Sequence, residues 1–384
     1  MKHSSRGLLL YHVAFAVLMS VPAAIASAQD KCAQAGRMLK QGVALGDGSK
    51  QEEQFYRDAV EACPHMAEAH YNLGIALLRQ SRNEDARQSF EKALELRDDA
   101  NFRVGLARAK IEMGEIEAAK EQYTKILTAD PKNEKALLGM SVIQERQGEL
   151  DKAIESINKV IEGSPSNSLA LFNLGVIYEK KNNLNGAIDS YQRAVRAEGN
   201  HLNANLYLGL ALQKAGRFAE SERYLIKSAE LEPDNADVHR ALAANYQQAK
   251  DFEKAELALR KAITIDETDI SSRVNLAVVL IGKKQESLAE EILLKVVASD
   301  ESNARAMGML GWAQLELGKF SDAERSLHRA LELDPASASI RNNLGVLYQR
   351  LGRKEEAKAQ FLEALRLNDS LQAARDNLAI LSEK

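Results

Sequence analysis

Asparagine recurs beside a leucine and a small residue at regular distances along this chain. Asn-Leu-Gly occurs at 72–74, 173–175 and 343–345, and Asn-Leu-Ala at 275–277 and 377–379. One side-chain amide offers two donors and one acceptor, so it can bind both the N–H and the C=O of a peptide backbone. Asparagine is a mediocre helix former, and its repeated use next to apolar residues therefore needs a reason. A row of amides that binds an extended polypeptide is one such reason.

Motifs typical of catalytic and metal-binding sites are missing from the sequence. It contains no G-x-S-x-G, H-E-x-x-H, G-x-x-x-x-G-K or G-x-G-x-x-G. The histidines after the N-terminal segment are scattered and are expected on the surface or in loops. Two cysteines are too few for a structural zinc site. We therefore predict a protein that is not an enzyme and that needs no cofactor and no metal.

The composition indicates a helical protein without affinity for nucleic acid. Lys and Arg number 51 and Asp and Glu 55, which gives a formal net charge of −4. Nucleic-acid-binding proteins usually carry a basic patch, which this balance does not favour. Alanine, leucine, glutamate, lysine and arginine dominate, and these residues are strong helix formers. The predicted class is all-α.

Residues 1–28 have the three-part layout of a secretory signal peptide. Lys2 and Arg6 form a basic start, residues 8–21 are largely apolar, and Ala26-Ser27-Ala28 provides an A-x-A cleavage site. We predict cleavage near Ala28, a periplasmic or secreted location, and no membrane span after cleavage. The alternative is an uncleaved membrane anchor, which also needs about 20 apolar residues.

Export would place Cys32 and Cys63 in an oxidising compartment, where disulfides persist. Cys32 opens the first helix after the signal segment, and Cys63 ends the next one, just before Pro64. In an antiparallel helix pair those two ends lie side by side. We predict a Cys32–Cys63 disulfide that closes a loop of about 30 residues. Two unrelated buried thiols are the alternative.

The chain is internally repetitive with a period of 34 residues. Repeats begin at 67, 100, 134, 168, 202, 236, 270, 304 and 338, and only the first step is 33. Position 7 is Leu or Met, position 8 is small, and position 20 is Ala or Ser. Apolar residues follow a helical period in each half, and glycines at 114, 148, 216, 318 and 352 fit helix ends that adopt positive φ. Because one helical hairpin cannot bury its own apolar face, the hairpins must stack.

This pattern resembles the tetratricopeptide repeat (TPR) family. Leu-Gly-x-x-Tyr followed by Ala, an aromatic residue and Ala occurs at 174–194 and again at 344–364. The resemblance implies a right-handed TPR α-solenoid, a superhelix of helix-turn-helix repeats with capping helices at both ends. The expected organisation is a signal peptide at 1–28, a degenerate TPR-like cap at 29–66, nine repeats at 67–371 and a capping helix at 372–384.

The resemblance also implies a binding site, because the first helix of each TPR lines a concave groove through positions 2, 5, 6, 9, 12 and 13. Position 6 carries the amides, an arrangement similar to the amide ladder of O-linked GlcNAc transferases, and it is interrupted at 105, 139, 207, 241 and 309. Two alternatives stay open: the amides are a family habit that satisfies a neighbouring turn, and Trp312 packs between helices. The predicted groove residues are Asn72, Asn173, Asn275, Asn343, Asn377, Tyr71, Arg108, Phe172, Tyr207 and Trp312.

These expectations combine into a function. We predict an exported, non-enzymatic scaffold that binds extended or helical segments of partner proteins in its groove, in cell-envelope assembly or secretion. The alternative function is a regulatory or targeting subunit of a glycosyltransferase or exopolysaccharide-secretion complex. A glycan strand as the groove ligand also stays open, because asparagine and aromatic side chains suit sugars.

Overall fold

A computed structural model describes residues 29–383, so the predicted signal segment lies outside the described residues. All regular structure in this range is helical, and the chain divides into two compact units between Asn183 and Leu184. The first unit contains α1 (29–45), α2 (Lys50–Ala62), α3 (Ala67–Arg79), α4 (Asn83–Leu96), α5 (Ala100–Glu112), α6 (Ile116–Ala129), α7 (Glu134–Arg146), α8 (Leu150–Gly163) and α9 (Ser168–Lys180). The second contains α10 (Leu184–Ala197), α11 (Leu202–Lys214), α12 (Phe218–Leu231), α13 (Ala236–Gln248), α14 (Phe252–Ile265), α15 (Ile270–Gly282), α16 (Glu286–Ser299), α17 (Ala304–Glu316), α18 (Phe320–Leu333), α19 (Ala338–Arg350), α20 (Lys354–Leu367) and α21 (Gln372–Glu383).

The helices follow the 34-residue period. The odd-numbered helices from α3 to α19, here called A helices, have 13 residues each, and the even-numbered ones from α4 to α20, the B helices, have 14. Most A helices begin with a side-chain cap: Asn133, for example, accepts a hydrogen bond from the amide of Ala136, and Asn303 from that of Ala306. Such caps satisfy amide groups that have no partner within the helix. The all-α helix-turn-helix prediction is confirmed.

The turn after each A helix has the same backbone geometry in every repeat. The five predicted helix-ending glycines have φ between 73° and 79°. Ser81, Asn182, Lys250 and Lys284 hold the same position in the other four repeats, with φ between 55° and 62°. The next amide donates to the carbonyl five residues earlier, as from Glu115 to Lys110 at 2.8 Å and from Arg353 to Tyr348 at 2.8 Å. This is the Schellman bond of a left-handed helix end.

In the core of each hairpin, a large buried residue of the B helix packs against the small residue at position 8 of the A helix. Phe90 and Phe361 are fully buried. A Cβ on Gly74 would lie 2.7 Å from the Phe90 ring, and one on Gly345 would lie 2.5 Å from the Phe361 ring. Real Cβ atoms do not approach so closely, and interiors are close-packed. The small residue at position 8 therefore lets the ring sit against the backbone.

Both ends of the described chain are tied to their neighbours. A disulfide joins Cys32 in α1 to Cys63 after α2, which confirms the predicted pairing. At the other end, Leu378 and Leu381 of α21 pack against the buried cluster of the last repeat, which includes Leu344 and Phe361. Within residues 29–383, no helix combines the length and apolar character that crossing a membrane requires.

Candidate partner-binding surface

The surface formed by A-helix positions 2, 5, 6, 9, 12 and 13 is here called the A face, and it is considered separately in the two units. A row of half-buried apolar residues at position 9 runs along it. Ile75, Val142 and Val176 form the row in the first unit, where the exposed Arg108 interrupts it. In the second unit the row consists of Leu210, Ala244, Val278, Trp312 and Val346. This row gives a ligand apolar area to cover without opening the core.

Two of the predicted amides lie half-buried on this face without an internal hydrogen bond. Neither Asn173 nor Asn343 has a hydrogen-bond partner among residues 29–383. Asn173 lines a small cavity of about 50 Å³ together with Val142, Glu145 and Val176. A partly desolvated amide with unused donors and acceptor gains free energy when a ligand supplies the missing bonds.

The other three predicted amides have partners. Asn72 donates to the Glu68 carbonyl of its own helix at 2.7 Å, which leaves its side-chain oxygen unused. The oxygen of Asn275 accepts from Arg305 of the next A helix at 2.5 Å. Asn377 donates to Asn342. Amides at equivalent positions therefore differ in how much of their bonding capacity a ligand can use.

The interruptions of the amide row at Gly105 and Gly139 have a steric cause. A Cβ on Gly105 would lie 2.5 Å from the ring of Phe90, and one on Gly139 would contact the ring of Tyr123. Both rings belong to the B helix of the preceding repeat, and both are buried. At these two positions the ring of the preceding repeat therefore leaves no room for a side chain at position 6.

The predicted aromatic contacts combine packing with exposure. The Tyr71 ring lies 5.0 Å from that of Phe102 and 5.8 Å from that of Phe90, centroid to centroid. Burial raises the pKa of Tyr71, and the positive charge of Arg108 partly offsets this rise. Tyr207 is 37% exposed, and Phe172 and Trp312 are half-buried. Trp312 also packs against the buried cluster of the last repeats, so its packing role and its place on the A face coexist.

Arg108 differs from Arg79 of the preceding A helix because it forms no ion pair within the described part of the chain. It lines a cavity of about 310 Å³ with Ile75, Leu78, Arg79 and Glu112, among others. Arg79 is held by the buried Glu52 at 3.2 Å, so its charge is already compensated. The guanidinium of Arg108 is therefore available to a ligand carboxylate or carbonyl.

Position 4 of the A helix has a structural role that the sequence did not reveal. In several repeats its side chain donates to the carbonyl six residues earlier, in the loop before the helix. His70 bonds Pro64 at 2.9 Å, and His239 bonds Pro233 at 2.8 Å. These histidines thus tie loops to helices. The same contact is made by Asn205, Arg273, Arg341 and Arg375.

The B helices carry charges that compensate one another between neighbouring repeats. Ion pairs of this kind are Arg82–Glu53, Lys254–Glu222, Lys319–Glu290 and Arg353–Glu324, at 2.6–2.9 Å. The hydrogen bond that Lys254 donates to the Glu222 carboxylate raises the pKa of Lys254. The surface formed by the B helices therefore carries mostly paired charges.

Among the residues that the structure describes, no group of three or more His, Cys, Asp or Glu could hold a metal ion.

Stacked A and B helices with an apolar, amide-bearing A face define a helical-repeat scaffold for protein interactions. Family models described as Tetratricopeptide repeat match residues 52–101, 77–136, 111–171, 168–201, 201–268 and 308–371. These ranges cover most of the chain, and the protein belongs to the tetratricopeptide repeat family, whose members bind protein partners.

Individual relatives are distant. The chain is 31% identical over 98 residues to the human "Protein O-mannosyl-transferase TMTC3", a match that spans 25% of this chain and 11% of that protein. Among solved structures, Pseudomonas aeruginosa PilF matches with a TM-score of 0.47 and 20% identity, over 54% of this chain and 95% of PilF. Yeast Tom70 matches with a TM-score of 0.45 and 15% identity, over 83% of this chain and 88% of Tom70.

Proposed function

We propose that this protein is an exported, non-enzymatic scaffold whose A face binds extended or helical segments of partner proteins in a concave groove, in cell-envelope assembly or secretion. One observation carries the proposal. The A face keeps half-buried apolar residues and two amides without internal partners, Asn173 and Asn343, whereas charges on the B helices pair between repeats. The A face thus has unused binding capacity.

Amides and apolar residues would contribute differently to binding. An amide hydrogen bond to a ligand backbone contributes about 0.5–1.5 kcal/mol and depends little on the ligand's side chains. The apolar row adds about 25 cal/mol for each Å² that the ligand covers. Trp312 offers the largest side chain of the row, and tryptophan is enriched among residues that dominate interface energies. We therefore expect backbone recognition by the amides and side-chain selection near Trp312.

Substitution of the two unpartnered amides tests this proposal. Affinity capture from an envelope fraction compares the wild type with Asn173→Ala/Asn343→Ala. The matched control is Asn158→Ala, which removes an exposed amide from B helix α8. We expect the double variant to lose a protein that the wild type and the control both retain. Equal recovery by all three would refute binding at the A face, and a captured glycan in place of a protein would change the ligand class.

Two features support export: the signal-like pattern of residues 1–28 and the Cys32–Cys63 disulfide, since disulfides persist in oxidising compartments. Amino-terminal sequencing of the protein purified from its native cells tests this part separately. A chain that starts at Gln29 is expected. Recovery of chains that keep residues 1–28 would instead identify an anchor.

The similarity to a transferase supports a second candidate, a regulatory or targeting subunit of a glycosyltransferase or exopolysaccharide-secretion complex. The match covers only 11% of the human O-mannosyl-transferase, so it carries no catalytic assignment. This candidate predicts that glycosyltransferase activity co-purifies with the wild type and is lost with Asn173→Ala/Asn343→Ala. Capture of partners without such activity would favour the first candidate.

A further inference from the structure

A cleft of about 620 Å³ lies among α14, α15 and α16, and its lining combines aliphatic and cationic side chains. Its size falls within the range of about 300–1,000 Å³ that small-molecule sites occupy. No carboxylate contributes to the lining. The hydroxyls of Thr264 and Ser299 donate to carbonyls of their own helices. The lining residues that matter for binding are Ile263, Leu276, Ile292 and Val296 on the apolar side and Arg260, Arg273 and Lys295 on the charged side.

The guanidinium of Arg273 has unused N–H donors because repeat seven lacks the glutamine that binds the equivalent arginine in two other repeats. In repeats two and nine the arginine at position 4 donates to a glutamine at position 23 of the same repeat. Arg103 bonds Gln122 at 3.1 Å, and Arg341 bonds Gln360 at 3.2 Å. In repeat seven position 23 is Ile292, and within the described residues Arg273 bonds only the Glu267 carbonyl. Arg273 lines the cleft, and most N–H groups of its guanidinium therefore have no partner within the described residues.

The other two cations strengthen the positive potential of the cleft. Arg260 pairs with Glu256 at 2.8 Å, and Lys295 pairs with Glu291 at 2.6 Å. Both acids lie outside the lining. The side chains of Arg260 and Lys295 are 50% and 73% exposed, so solvent screens these pairs and an incoming anion can compete for the cations.

We propose that this cleft binds a small amphiphilic anion, in which a carboxylate or phosphate head binds Arg273 and an aliphatic chain covers Ile263, Leu276 and Ile292. The planar guanidinium matches both head groups through two parallel hydrogen bonds. Ile292 acts twice: it supplies apolar contact, and by replacing glutamine it leaves Arg273 free. The site lies on other surfaces than the A face and is independent of partner binding there.

Isothermal titration calorimetry of the full mature chain with monomeric decanoate, decyl phosphate and decanol tests the proposal. We expect saturable binding of at least one anion and at least about tenfold weaker binding of decanol, which lacks the charge. The preferred anion identifies the head group. Absence of saturable binding by both anions overturns the proposal, and so does equal binding of decanol.

Two variants locate the site. Ile292→Gln restores the pairing found in repeats two and nine, so it should fold normally and weaken anion binding by at least about tenfold. Arg273→Gln removes the head-group donor and should have a similar effect. The control is Arg329→Gln in α18, which removes an exposed cation at the position that corresponds to Lys295. Unchanged affinity in Ile292→Gln and Arg273→Gln, or an equal loss in the control, would place binding elsewhere.

Discussion

The side-chain nitrogen of Asn377 donates a 3.0 Å hydrogen bond to the side-chain oxygen of Asn342, 35 residues earlier in the chain. Asn342 is only 8% exposed, whereas the adjacent Asn343 lies half-buried without a partner within residues 29–383. Two neighbouring amides of α19 thus have different roles. Asn342 attaches α21 to the last repeat, and Asn343 remains available on the A face.

Removal of this donor should loosen the last helix. Asn377→Ala leaves the Asn342 oxygen buried without its partner, which costs about 1–3 kcal/mol. We expect faster hydrogen exchange throughout α21 and little change in the first unit. Asn343→Ala is the control and should leave exchange in α21 unchanged, because that amide makes no internal bond. Equal exchange in both variants would show that Leu378 and Leu381 alone hold the helix.

Glycine at a left-handed turn should stabilise the protein. Lys284 has φ of 62° at the position where Gly318 has 73°. A left-handed conformation costs an L-residue about 1–2 kcal/mol, and glycine loses part of this gain through its greater freedom in the unfolded chain. We expect Lys284→Gly to raise the thermal midpoint and Gly318→Ala to lower it. A lower midpoint for Lys284→Gly would mean that the lysine side chain makes a compensating contact.

The interruption of the amide row at Gly105 should depend on Phe90. Gly105→Asn forces a Cβ against the ring, and overpacking of this kind costs about 1–3 kcal/mol. Leucine stands at the position of Phe90 before Asn275 and Asn343, where an amide is accommodated. We therefore expect Gly105→Asn to lower the free energy of unfolding less in a chain that also carries Phe90→Leu. Urea unfolding of the single and double variants measures the coupling energy between positions 90 and 105. Additive changes in the free energy of unfolding would contradict the prediction.

The disulfide should stabilise one end of the chain. Cross-linking residues 32 and 63 contributes about 3–4 kcal/mol in the chain-entropy model. Repeat proteins unfold locally because each unit contacts only its neighbours. Reduction, or Cys32→Ser/Cys63→Ser, should therefore accelerate hydrogen exchange in α1 and α2 and leave the second unit unchanged. Unaltered exchange in α1 would show that the packing of α1 and α2 suffices.

Acid should destabilise the same region through Glu53. Burial tends to raise the pKa of this carboxyl, but hydrogen bonds from Arg57 and Arg82 outweigh burial and hold it below the ordinary value. The stabilisation is therefore present above the unfolded pKa of about 4.3 and is lost as pH falls through the lower folded value. Below pH 4 we expect α2 to lose protection. In Glu53→Gln the protection of α2 should depend less on pH. In Glu61→Gln, a change at an exposed site, the loss of protection below pH 4 should remain.

Periodicity predicts most of this fold, because position 7, position 8 and the turn glycines recur in register. The turns at Ser81, Lys250 and Lys284 could not be recognised alone, since these residues do not prefer positive φ. Their geometry follows from the 34-residue spacing and from the Schellman bond that the helix end requires. Tertiary context outweighs local preference there.

The candidate site was less predictable than the fold. Asn72, Asn173 and Asn275 stand in nearly identical local sequences, yet one bonds its own helix, one has no bond and one bonds the next helix. The difference arises from what the adjacent helix presents: Arg305 reaches Asn275, while Asn173 faces Val142. Such cross-repeat contacts depend on residues about 30 positions away, which a motif of three residues does not contain.

The uniform turn after each A helix makes the middle of every repeat an equivalent junction. Because the same backbone bond closes all nine turns, a chain cut at one turn and rejoined at another keeps its local geometry. Whole 34-residue units can thus be removed or duplicated without a new type of junction. The length of the A face, and hence the length of polypeptide that we propose it binds, becomes adjustable in steps of one helical pair.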